Sequence, residues 1–230
     1  MMSYWILFIG IAVASWLVSL NLKNKEKKYS RIPLDNGMTG KDVAEQMLRD
    51  NGLYDVKVVV TSGLLSDNYN PTNKTISLSE AVYRGDNVFA AAVAAHETGH
   101  AIQHAMAYAP LKMRSALVPV VSFSSQWVTW ILLGGLILMG KGFTLGPSIL
   151  LVGIGLFSLT TLFSFITLPV EINASKRALS WLNRSSITTS RNHTAAESAL
   201  KAAAYTYVVA ALASLASLLY YIMVFLGGRR

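Results

Sequence analysis

Four stretches of the chain, residues 4–22, 117–139, 145–168 and 205–226, carry no charged side chain. Each has the length of a bilayer-spanning helix, which takes about 20 apolar residues. Between them the period changes. Around residues 39–50, Val43, Met47 and Leu48 fall at helical intervals behind a Thr39/Asp42 start signal, and Gly52 is a suitable stop. Residues 56–61 are β-branched and bounded by turn formers, which predicts a strand. Asp67 to Pro71 is dense in turn residues, and Thr75 to Leu78 alternates polar and apolar as a half-buried second strand does. That second strand either supports a helix as part of a small hairpin or offers its backbone to an extended substrate. An alanine-rich helix follows, capped by Asp86 or Asn87 and closed by Pro110. Thr194 and Glu197 have the spacing of a capping box for the last helix.

Composition agrees with a membrane protein: 53% of residues are hydrophobic and 14% charged. The expected architecture is mainly α, with four transmembrane helices and a small α+β portion outside the bilayer. The segments are a retained N-terminal anchor (1–22), a polar domain (23–116), a transmembrane hairpin (117–168), a second polar segment (169–204) and a last transmembrane helix with its tail (205–230). The two polar segments hold seventeen Lys and Arg, against three in the 140–144 turn and the tail. The positive-inside rule therefore places both polar segments in the cytoplasm. The surplus of +8 then acts as a topology signal and attracts anionic headgroups of the lipid bilayer. No nucleic-acid motif accompanies it. The absence of cysteine excludes disulfides and thiolate metal sites.

One run carries specific chemistry: His96-Glu-Thr-Gly-His100, inside the alanine-rich helix. Histidines four apart on a helix point the same way, one turn along, so both rings can reach one zinc ion. The intervening Glu97 is placed to work as general acid/base on a metal-activated water. Gly99 costs about 1 kcal/mol in a helix interior, which implies a close approach by the metal or a neighbouring helix.

Catalytic zinc takes three protein ligands. His104 stands about 12 Å along the axis from His96, too far to share its ion, and suits packing or support behind the ligands. The position ten residues after the first histidine is Met106, which excludes a third histidine there. Glu197 has its capping role, and His193 sits in a loop rich in Ser, Thr and Asn. Glu171 remains, at the end of the third apolar run and on the same side as His96 and His100. An acid at that depth is costly unless paired or metal-bound. Its alternative partners are Lys176 and Arg177. Arg177 is placed either to stabilise an oxyanion or to bind lipid headgroups.

The stretches Gly63-Leu-Leu-Ser-Asp-Asn-Tyr-Asn-Pro71, Ile76-Ser-Leu-Ser-Glu80, Ala95-His-Glu-Thr-Gly-His-Ala-Ile-Gln103 and Leu168-Pro-Val-Glu-Ile-Asn-Ala-Ser-Lys-Arg-Ala-Leu179 resemble the YugP-like neutral zinc metallopeptidases of bacterial membranes. The resemblance covers nearly the whole chain, and extends more distantly to membrane zinc proteases of the HtpX and CAAX-processing types. It implies a zincin-like, gluzincin-type metalloprotease domain in a multi-pass protein of the bacterial plasma membrane. His96, His100 and Glu171 would ligate Zn2+, and Glu97 would be catalytic. The substrate would be a peptide or membrane protein cut at the cytoplasmic face. The chain departs from the family at Asn68 and Asn70, where acids or imidazoles are frequent, and at Asn173, where Asp is common. Asn173 could orient a ligand only as a neutral acceptor.

Two other readings stand beside this one. A zinc-stabilised scaffold without catalysis is disfavoured by Glu97, which a purely structural site does not need. A transporter is disfavoured by spans that lack intramembrane acids or bases.

Overall fold

The computed structural model describes residues 2–63 and 66–227. Leu64 and Leu65, inside the first family-like stretch, and Arg229 and Arg230 of the basic tail lie outside the described residues. The element order is α1 (Met2–Tyr29), α2 (Gly40–Asp50), β1 (Lys57–Thr61), β2 (Asn68–Asn70), β3 (Thr75–Ser79), α3 (Glu80–Tyr83), α4 (Val88–Ala105), α5 (Ala109–Gly140), α6 (Gly146–Arg184) and α7 (His193–Gly227). The fold is mainly helical with one small sheet. α1, α5, α6 and α7 are long and apolar enough to cross a membrane. Each outruns its apolar stretch: α1 continues through a basic end, and α6 continues 16 residues past Leu168 as far as Arg184.

The chain divides into two compact units. The first comprises the described parts of residues 1–15, 112–168 and 207–230. Its core is small, built on Val128, Leu132, Leu150 and Ile154. Large apolar side chains stay on its surface, Trp130 at 70% exposure and Val152 at 58%. Lipid tolerates such a surface, whereas water penalises it.

The second unit, residues 16–111 and 169–206, has the larger core. Its helix α2 forms as the sequence predicts. Thr39 and Asp42 cap each other reciprocally, with Thr39 N–H donating to Asp42 Oδ2 at 2.9 Å, and Val43, Met47 and Leu48 are buried. Gly52 supplies the left-handed stop at φ 71°.

β1 and β3 form where the sequence predicts strands, but their pairing differs from expectation. β2 arises inside the turn-rich segment and pairs antiparallel with β3, while β1 pairs with β3 in parallel, giving the order β1-β3-β2. The hairpin is thus β2–β3. β3 is central, bonded on both sides across Thr75–Ser77, so its backbone is not free there to pair with a substrate. Ile76 and Leu78 are fully buried, while Thr75 and Ser77 face outward and are partly covered.

Two helix boundaries also moved. α4 ends at Ala105, before Pro110, because Ala107 turns left-handed at φ 54°. Pro110 instead occupies the first turn of α5, where a missing N–H costs nothing. α7 starts at His193, so Thr194 is already helical, and Glu197 pairs with Lys201 at 2.7 Å instead of closing a capping box.

Candidate metal centre

Asn87 opens α4 by accepting from Ala90 N–H, and alanines bury the helix against α2 and its surroundings. Small side chains let neighbouring backbones come close. At Gly99 the consequence is sharp: a Cβ there would lie 2.8 Å from Ala174 O and 3.1 Å from Ala174 Cα of α6. The close approach anticipated at Gly99 is therefore made by a helix. It brings the stretch of α6 beginning at Pro169 alongside the histidines of α4.

His96 and His100 lie one turn apart with ring centroids separated by 4.8 Å. Glu171 arrives from α6, 2% exposed. Its Oε2 is 3.3 Å from His96 Nε2 and 3.7 Å from His100 Nε2. One ligand atom from each of the three lies within 4.8 Å of the others. Zinc bonds of about 2.0–2.1 Å at tetrahedral angles separate neighbouring donors by roughly 3.3 Å. The nitrogen, nitrogen and oxygen set therefore fits a zinc ion in donor chemistry, and the two separations from Glu171 Oε2 lie close to this value.

The ring nitrogens turned away from this point are also held. Ser175 Oγ lies 3.1 Å from His96 Nδ1. Behind His100 runs a chain of bonds whose polarity is fixed by an arginine, which can only donate. Arg177 Nε–H donates to Asn173 Oδ1 at 2.8 Å. Gln103 Nε2 donates to the same oxygen at 3.0 Å and to Val170 O at 2.8 Å. Gln103 Oε1 must then face His100 Nδ1, 3.0 Å away, and accept its hydrogen. The neutral form of His100 is thus held in the tautomer with its hydrogen on Nδ1, which leaves the Nε2 lone pair for a metal, while the protonated form can donate from Nε2 to Glu171.

The electrostatics suit a cation. Burial alone would lower the pKa of His100. Its bond to Glu171 and the nearby charges of Glu97 and Glu171 reverse this and hold it above its ordinary value. Burial pushes the Glu97 carboxyl up, opposed by His96 and His100 and assisted by Glu171 and Asp67. Asp67 is also pushed up by burial, against hydrogen bonds from Ser79 N–H at 2.7 Å and Ser79 Oγ.

Other residues singled out by sequence lie elsewhere. His104 Nδ1 is 2.8 Å from Tyr69 Oη, tying α4 to β2. Asn68 bonds Ser66 O, and Asn70 accepts from Thr72 N–H. His193 Nδ1 meets Thr188 Oγ1 at 2.8 Å. Among the described residues, only His96, His100 and Glu171 form a metal-competent cluster. Gln103 and Ser175 were missed. The signal was spacing: Gln103 follows His100 by three residues and Ser175 follows Glu171 by four, which puts each on its neighbour's helix face.

Residues 4–226 match the family described as "Putative neutral zinc metallopeptidase". The chain is 41% identical over 229 residues to the "Putative membrane protease YugP" of Bacillus subtilis (strain 168), covering 97% of this chain and 98% of that protein. No solved structure gives a significant match.

Proposed function

This chain belongs to the neutral zinc metallopeptidase family, and we propose that it hydrolyses peptide bonds at the cytoplasmic face of a bacterial plasma membrane. His96, His100 and Glu171 would hold Zn2+ in a zincin-like, gluzincin-type site, and Glu97 would be the catalytic acid/base. The observation that carries this reading is the convergence of Glu171, 75 residues away, on the two histidines flanking a buried glutamate.

When bound, zinc supplies Lewis acidity that polarises the scissile carbonyl and makes water acidic enough to attack near neutral pH. Glu97 takes the proton from the attacking water and returns it to the leaving amine nitrogen. Its burial favours this exchange, because a carboxyl with a raised pKa is a stronger base for the first transfer. His96 and His100 contribute Nε2, with Ser175 and Gln103 behind them holding the rings. Arg177, bound to Asn173 and Met106, serves the chain behind His100, and no oxyanion role is assigned to it. The multi-pass arrangement in the lipid bilayer is supported by the four apolar helices, and the orientation by the distribution of basic residues. The substrate class is a peptide or membrane protein, in keeping with the relative's name as a membrane protease.

The full chain in detergent, assayed for bound zinc and for cleavage of casein and quenched peptides, tests the reading. Glu97→Gln should keep its zinc and lose activity by about 10²–10⁴-fold. Glu171→Gln should lose zinc. Equal cleavage by Glu97→Gln would sink the catalytic assignment. Zinc-loaded wild type that cuts nothing would favour the non-catalytic, zinc-stabilised scaffold.

A further inference from the structure

Past Glu171, α6 presents a basic face. Lys176, Ser180 and Arg184 recur every four residues, and 3.6 residues per turn places Arg177 within about 100° of arc with them. These four line a groove of about 290 Å³ over a floor that includes Ile102 and Trp181. No acid lines it. Neighbouring Asp50 is occupied, its Oδ2 accepting from Trp181 Nε1 at 2.9 Å.

The charge here is uncompensated. Elsewhere in this unit, Lys41 and Arg49 meet Glu45, Lys74 meets Asp55, Arg84 meets Glu80 and Lys201 meets Glu197. Among the described residues, Lys176, Arg177 and Arg184 have no carboxylate partner. Gathered around one groove, three such cations repel one another until an anion enters. Arg177 is anchored from behind through Nε to Asn173 Oδ1. Among the described residues its Nη1 rests only on Met106 Sδ at 3.2 Å, a weak acceptor that an oxyanion readily displaces.

We propose that this groove binds a phosphate group, held by Lys176, Arg177 and Arg184 with the Ser180 hydroxyl as a further donor. Three cations exceed what one carboxylate needs and suit a phosphate, which offers several acceptor oxygens and carries close to two negative charges when free or a monoester and one in a diester headgroup. Arginine forks match phosphate oxygens in pairs, and lysine adds a point charge. A volume at the lower end of small-ligand sites suits a phosphate with few attached atoms. The source is either a free phosphate compound or a phospholipid headgroup. Occupancy would also engage Arg177, the origin of the bond chain behind His100.

The test uses the full chain in neutral detergent and needs no peptidase assay. Inorganic phosphate, a short-chain phosphatidylglycerol and a phosphatidylcholine of equal chain length are titrated while tryptophan fluorescence and Tm are followed. Wild type should respond saturably to inorganic phosphate or to phosphatidylglycerol. Lys176→Gln/Arg184→Gln should weaken that response by about tenfold or more. The charge-matched Lys27→Gln/Lys28→Gln, on α1, should not. All four positions are exposed, so the variants should fold, which circular dichroism verifies. A response to inorganic phosphate identifies a free phosphate compound, and a response to phosphatidylglycerol alone identifies a headgroup. No saturable response to either probe, equal response to the two lipids without one to phosphate, an unaffected double variant, or equal loss in the α1 control would each overturn the proposal.

Discussion

At the scale of single residues, the two histidines proposed as ligands are ordinary in type and special in orientation. Gln103 Oε1 leaves His100 only one way to present its Nε2. Gln103→Leu removes that acceptor, and zinc affinity measured by chelator competition is expected to fall about 10–100-fold. Gln103→Glu keeps an acceptor and should bind zinc more tightly than Gln103→Leu. Identical affinities for the two variants would dismiss the orienting role. Asp67 gives a pH prediction. Its folded-state pKa is raised by burial, so as pH climbs from the ordinary aspartate value the unfolded chain ionises first. The folded state then binds more protons, and stability falls with rising pH across that window. Asp67→Asn should flatten that part of a Tm–pH curve, and an unchanged slope would refute it. Neither role was legible in sequence. A glutamine three residues after a histidine is common, and an aspartate among turn formers looks like another turn former.

Among the elements, the helices and the strands β1 and β3 were legible, while β2 and the pairing order were not. α2 announces itself through a cap and a 3.6-residue period, and α4 through a cap and its alanine content, all of which act within a few positions. β2 is three residues long, too short to show an alternation, and exists because β3 lies beside it. Gly99 links element to site. Alanine would improve the helix by about 1 kcal/mol on propensity, while overpacking costs about 1–3 kcal/mol. Its Cβ would press on Ala174 backbone atoms, which cannot rotate away, so the overpacking cost wins. Gly99→Ala is expected to lower both Tm and zinc content, because α6 must retreat and carries Glu171 with it. A variant with unchanged metal content would show that the approach of the two helices is not what sets the site.

For the whole molecule, orientation is the property most open to test. The chain has no cysteine, so single cysteines report cleanly. With intact cells and an impermeant maleimide, Lys141→Cys should label and Ser190→Cys should not, both labelling after permeabilisation. The opposite pattern would reverse the proposed topology. What the sequence determined by itself is whatever depends on near neighbours or on sums along the chain: the four apolar helices, the helix bearing His96, Glu97 and His100, and the asymmetry of basic charge. It also narrowed the proposed third ligand to Glu171, because few acids and imidazoles remain. The tertiary structure alone decided that Glu171 Oε2 meets both Nε2 atoms, that Gly99 faces a helix backbone, and that Arg177, Asn173 and Gln103 polarise a chain ending at His100. The contacts among them that cross from α4 to α6 join residues about 70 positions apart, and no local period encodes which faces of two helices will meet.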